Sequence, residues 1–141
     1  MRFAFTEDQL MFRDAVRDVL TLECPPTTVR KTWEETSGRA AAVYTTLAET
    51  GLVSALASEE AGGMAMNELD VVLAYEEAGF AALPDPLVET ALVAIPLLEA
   101  LGSDALKAEW LPKLTSGEAV AAVDFGDSAV VAHAPVADLF L

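Results

Sequence analysis

The residue types that could do chemistry are few in this sequence: the glutamate pairs Glu59-Glu60 and Glu76-Glu77, the glycine pair Gly62-Gly63, a single histidine, His133, and a single cysteine, Cys24. Adjacent carboxylates would suit acid/base work, but neighbouring positions on a helix point about 100° apart and cannot share a proton. The better account of the second pair is one partly buried carboxylate, Glu76, which falls four residues after Val72 and four before Phe80 and would pair with an arginine. Glu59-Glu60 reads as solvated loop or helix-dipole charge. His133 has no second histidine, cysteine or serine triad beside it, so it reads as structural, because function needs a constellation. One cysteine excludes an internal disulfide, and with one histidine it leaves no zinc or redox set, so Cys24 reads as a small thiol at a helix end. Gly62-Gly63 lacks the flanking strand and helix of a phosphate cradle and is expected to be a turn with positive φ.

The elements that must position these residues are mostly helical. Thr6 and Gln9 form a capping box with Phe5 and Leu10 as its staple, and Phe12, Val16, Val19 and Leu20 follow at helical spacing until Pro25-Pro26. A short helical turn holds Trp33, and a helix over residues 40–50 ends at Gly51. Residues 52–66 are expected to form an ordered loop. Asn67 and Asp70 repeat the capping logic for a helix ending near Gly79, with Leu69, Val72, Leu73 and Phe80 on its inner face. Pro84-Asp85-Pro86 opens an apolar helix over residues 87–101, and Pro96 inside it predicts a kink or break near Leu92. Ser103 caps a further helix, with Leu106, Trp110 and Leu114 on one face, ending at Ser116-Gly117. Strands are expected only after Glu118, in 119–125, 129–131 and 137–141, the last being an apolar edge without its ladder partners.

The chain has 141 residues, 53% of them hydrophobic, and carries 23 acidic against 8 basic side chains, a formal charge of −15. That charge repels phosphate backbones and anionic lipid heads, which disfavours nucleic-acid and membrane-surface partners. No apolar stretch reaches the roughly 20 residues that span a bilayer, and the N-terminus opens on a capped polar turn rather than a signal peptide, so a cytoplasmic setting is expected. A mean hydropathy of +0.38 exceeds what one small domain needs, and association with itself or a companion, or a further part of the chain, is expected to cover the excess.

Four strings in order resemble the acyl-CoA dehydrogenases. Thr6-Glu7-Asp8-Gln9 is similar to the start of that family. Glu59-Glu60-Ala61-Gly62-Gly63-Met64 resembles its acidic, glycine-paired loop. Tyr75-Glu76-Glu77-Ala78-Gly79 follows at the expected distance. Most specific is Gly102-Ser103-Asp104 through Glu109-Trp110-Leu111-Pro112-Lys113-Leu114 to Ser116-Gly117-Glu118, which resembles the family's last N-terminal helix and its turn into a β domain.

The resemblance implies a mainly α fold: an N-terminal helical domain, residues 1–118, leading into the first strands of a barrel-like middle β domain, residues 119–141. It implies FAD as cofactor and an acyl-CoA thioester as substrate, dehydrogenated at its α,β bond while a glutamate removes the α-proton. That base belongs to the family's C-terminal four-helix domain, so no catalytic residue is assigned before Leu141, and the 141 residues alone are expected to be inactive. The family's helix over 87–101 borders the fatty chain, which makes Leu87, Val88, Ala91 and Leu92 candidate pocket residues beside the default reading as core. Pro84-Asp85-Pro86-Leu87-Val88-Glu89-Thr90 is more like branches acting on bulky or unusual acyl groups, in fatty-acid or steroid side-chain β-oxidation. Where the family usually reads Thr-Glu-Pro, one residue, then Ala-Gly-Ser-Asp against flavin and substrate, this chain has Asp124-Phe125-Gly126-Asp127-Ser128-Ala129. Phe125, Gly126 and Ser128 are the candidate cofactor contacts. Either the loop still offers backbone donors, or this is a non-catalytic subunit of a heteromeric dehydrogenase whose flavin a partner holds; a helical interaction module without activity is the third reading.

Overall fold

The computed structural model describes residues 4–126 and 130–141. Helix α1, Glu7–Glu23, begins as its capping box dictates: the Thr6 hydroxyl accepts from the Gln9 amide at 3.2 Å and the Gln9 side chain accepts from the Thr6 amide at 2.8 Å. Helix α2, Pro26–Glu34, is a full two and a half turns, started by proline at its first position, and it leaves Trp33 exposed. Helix α3, Ala41–Glu49, buries Val43, Tyr44 and Leu47. Residues 51–57 then turn through the interior without a helix, carrying Leu52, Val53, Ala55 and Ala57 into the core. Backbone bonds from Ala65 to Ala57 and from Met66 to Ala55 hold that turn, and the Glu99 carboxylate accepts from the Ser58 amide at 3.1 Å and its hydroxyl at 2.6 Å. Gly62 is left-handed at φ +83°, as a turn requires. Gly63 is there for another reason: a Cβ on it would lie 2.2 Å from the Ala57 carbonyl oxygen.

Helix α4, Glu68–Phe80, is capped by Asn67, which accepts from the Leu69 amide, while Asp70 reaches back to the Asn67 amide. Its inner face corrects the sequence expectation. Val71, Ala74 and Ala78 are buried, whereas Leu69 and Phe80, at 90% exposure, face outward and Val72 is half exposed. Apolar residues ring this helix, so their spacing alone does not select a side. The same rotation moves the paired carboxylate by one residue: Glu77, with a side chain 13% exposed, holds Arg17 at 2.5 Å, and Glu76 is in solvent. Gln9 donates to Asp70 at 2.9 Å, a second stitch from α1 to α4.

Of the kink or break expected near Leu92, the break is absent: a π-helical segment, Val88–Ala94, spans that point and runs without interruption into helix α5, Ile95–Leu101. A proline at position 96 lacks an N–H and would press on the Leu92 carbonyl of an α-helix. Widening the ladder, seen where the Ile95 amide bonds Thr90 five residues back, relieves that clash and keeps the rod continuous. Helix α6, Asp104–Thr115, is capped by the Ser103 hydroxyl and buries Leu111, Leu114 and Thr115; Leu106 is exposed and Trp110 only partly covered.

Strand structure among the described residues is smaller than expected: β1, Ala121–Ala122, and β2, Leu139–Phe140, pair in parallel with Ala121 opposite Leu139. The apolar tail is thus not an unpartnered edge, because β1 is its ladder partner on one side. The Asp138 carboxylate accepts from the Val120 amide at 2.9 Å and fixes that register. The fully buried Thr90 hydroxyl accepts from the Ala121 amide at 2.9 Å, clamping β1 to the π-helix.

Candidate active-site wall

Helix α4 and the π-helix to α5 rod run in opposite senses along a shared crease. Near the start of α4, Val71 and Val72 face Leu92, Pro96 and Leu56 across a hollow of about 250 Å³ with Glu68 at its rim. Near its end, Ala78 and Gly79 face Leu87, Val88 and His133 across a second hollow of about 250 Å³. Tyr75 lines both. Its hydroxyl donates to the Leu52 carbonyl at 3.2 Å, which holds the ring in place, and burial pushes its pKa well above the ordinary tyrosine value.

Three polar groups flank the second hollow. Glu89 and His133 are partly exposed, His133 in the left-handed region at φ +59°. Asp85 is the third, its carboxylate wholly buried between two prolines, accepting from Arg39 Nε at 2.7 Å and from the Ala40 amide at 2.8 Å. Burial pushes the Asp85 carboxyl up, while the Arg39 guanidinium works in the other direction. This pair anchors the first turn of the crease's second wall to the start of α3. At the opposite side of α4, Arg17 holds the Glu77 carboxyl below the usual range, and the Gln9 amide does the same for Asp70.

Of the residues assigned from sequence, Leu87 and Val88 line the second hollow and Leu92 the first. Ala91 is 1% exposed, sits in the central core and lines neither. Tyr75 was missed as a pocket residue, although its place three or four residues from Val71, Val72, Ala78 and Gly79 puts it midway along one helix face. Asp85 was missed because prolines on both sides mark it as a turn.

The candidate cofactor loop is a different case. Phe125 is exposed, Gly126 is left-handed, and the Gly126 amide already donates to its neighbour Asp124 at 2.7 Å. Among the described residues, none lies within 4 Å of where a Gly126 Cβ would stand. Ser128 lies outside the described residues. In the described part of this loop the Gly126 amide is already engaged. Among the described residues, no group of three or more His, Cys, Asp or Glu side chains is placed to hold a metal ion, and no helix is long and apolar enough to cross a membrane.

Among the described residues, six α-helices and a π-helical segment lead into a parallel strand pair. Residues 6–118 match the acyl-CoA dehydrogenase N-terminal domain, and the chain belongs to the acyl-CoA dehydrogenase family. Acyl-CoA dehydrogenase IpdE2 of Mycobacterium tuberculosis is 28% identical over 134 residues, covering 94% of this chain and 41% of that protein. A chain of the ChsE4-ChsE5 complex from Mycobacterium tuberculosis superposes with a TM-score of 0.87 at 23% identity, over 100% of this chain and 44% of its own length. A variant of the Tcur3481-Tcur3483 steroid ACAD gives a TM-score of 0.79 at 22% identity, over 94% of this chain and 44% of that one. At these identities the two structures show the shared fold. The chain spans less than half the length of each of these relatives.

Proposed function

We propose that this chain is the acyl-facing helical part of an FAD-dependent acyl-CoA dehydrogenase that oxidises the α,β bond of an acyl-CoA thioester. The observation that carries this reading is the crease between α4 and the π-helix, apolar where Leu92 and Pro96 line it, in a chain that belongs to the family. Leu87, Val88, Leu92 and Tyr75 supply its apolar walls, as an acyl chain needs. Bulky acyl groups, fatty or steroid, are the proposed substrates, in keeping with the likeness to a steroid dehydrogenase. A cytoplasmic setting suits a chain whose single cysteine is a buried free thiol.

The loop at Phe125 and Gly126 favours a second reading of the subunit's role. Its glycine amide is spent internally and its aromatic ring stands in water. In this reading a companion dehydrogenase subunit contributes flavin surroundings, and this chain contributes a wall. Exposed Leu69 and Phe80 on α4 supply apolar surface for such an assembly.

The test is acyl-CoA-dependent reduction of an artificial electron acceptor by the chain alone and by the chain co-expressed with a companion acyl-CoA dehydrogenase subunit. Activity is expected only in the complex, and Leu92→Glu, which places a charge in the crease, should raise KM about tenfold or more. Turnover by the chain alone, or a KM indifferent to Leu92→Glu, would contradict the proposal.

A further inference from the structure

We infer that Tyr75 is the partition that sets how long or wide an acyl group the crease accepts. This inference rests on the acyl reading above and adds the residue that decides specificity. Tyr75 is the one described residue common to the linings of the two hollows. On α4 it stands one turn after Val71 and Val72 and one turn before Ala78 and Gly79, so its ring lies at the midpoint of the crease.

Size shows what the ring does. Each hollow is about 250 Å³, below the roughly 300 to 1,000 Å³ of pockets that take a drug-sized ligand, whereas the two joined would fall inside that range. The ring is also held in place. Its hydroxyl is bonded to the Leu52 carbonyl, in the buried turn at residues 51–57, so swinging aside would cost that bond and leave a carbonyl without its partner. A short acyl group is therefore confined to one hollow, and a longer or polycyclic one needs the ring out of the way.

The two hollows also differ in character. The one beside Leu92 and Pro96 has apolar walls with a carboxylate only at its rim. The one beside Val88 includes Asp85, Glu89 and His133. Opening the partition joins an apolar compartment to a more polar one.

Two readouts on the chain, within its complex with the companion subunit, test this. Crystal structures of Tyr75→Ala, with Tyr75→Leu as the milder variant should the first not fold, are expected to show one continuous hollow, and Tyr75→Phe two. Calorimetric titration with saturated acyl-CoA thioesters of increasing length is expected to show wild type gaining nothing past the length that fills one hollow, and Tyr75→Phe, which keeps the ring but not its hydrogen bond, gaining less than the opened variants. The opened variants continue to gain, at about fourfold per buried methylene, so that two further methylenes exceed tenfold. Hollows that stay separate in the opened variants, or a Tyr75→Phe profile equal to that of Tyr75→Ala, would overturn the partition. Merged hollows with an unchanged length profile would overturn its role in specificity. Wild type binding every acyl-CoA no better than free CoA would overturn the acyl reading and this inference together.

Discussion

Removing the Asp85 carboxylate should be among the most damaging single changes away from the large core residues. Asp85→Ala leaves the Arg39 guanidinium, in a side chain 16% exposed, without its counter-charge and the Ala40 amide without its acceptor. Breaking a buried pair from one side costs about 3 to 5 kcal/mol. Total stability for such a domain is about 5 to 15 kcal/mol, so a large share is lost. At about 2.1 cal/mol/K of unfolding entropy per residue, 141 residues give about 0.3 kcal/mol/K, and the melting midpoint should fall by about 10 to 17 °C. Asp85→Asn keeps one acceptor and should cost less than half as much. The double change Asp85→Leu with Arg39→Met should recover part of the loss, short of full because the Ala40 amide stays unpaired. Thermal melts by circular dichroism measure all four proteins. A shift below about 3 °C for Asp85→Ala, or a double variant no better than the single, would refute the claim that this pair anchors the crease wall.

Acid should loosen α1 from α4. Asp70 and Glu77 have folded pKa values lowered, chiefly by the Gln9 and Arg17 side chains respectively, so their stabilisation is present above the ordinary carboxylate range and is lost as pH falls through it to the depressed folded values. Asp85 runs the other way: its folded value is raised, so what it favours in folding is present below the ordinary range and lost as pH rises through the raised value. Melting against pH should show an acid slope that becomes shallower in Glu77→Gln, and an unchanged slope in that variant would count against the Arg17 stitch. Two glycines should part company in the same assay: Gly63→Ala, which drives a Cβ into the Ala57 carbonyl, is expected to cost about 2 kcal/mol or more, while Gly79→Ala, in open space at the end of α4, should gain about 0.8 kcal/mol.

Local hydrogen-bonding chemistry made much of this fold legible. Thr6 with Gln9, Asn67 with Asp70, and Ser103 each mark a helix start because the partners lie within three residues of one another. Pro96 located the disturbance in the long apolar helix, but whether a proline yields a break or a π-helix depends on what else holds the rod. Here Thr90 is clamped to Ala121, thirty-one residues on, and no local pattern contains that bond. The face of α4 was misjudged because Val71, Val72 and Leu73 are equally apolar, and which one turns inward is set by α1 packing against the helix. That rotation also decided Glu77 over Glu76. Nothing in the sequence marks the Tyr75 ring, since a partition exists only once two helices define something to divide. The cofactor loop was read from a departure in motif, and the structure adds that the Gly126 amide is already occupied.

Photolabelling with an acyl-CoA bearing a diazirine at the end of its acyl chain tests the central claim most directly, carried out on the chain in complex with its companion subunit and mapped by peptide mass spectrometry. The account predicts labels on the crease, at Val72, Tyr75, Val88 or Leu92, suppressed by excess unlabelled acyl-CoA and unaffected by free CoA short of saturation. Labels confined to other surfaces, such as the cleft between Ser58 and Lys107, or labels that acyl-CoA does not suppress, would contradict it.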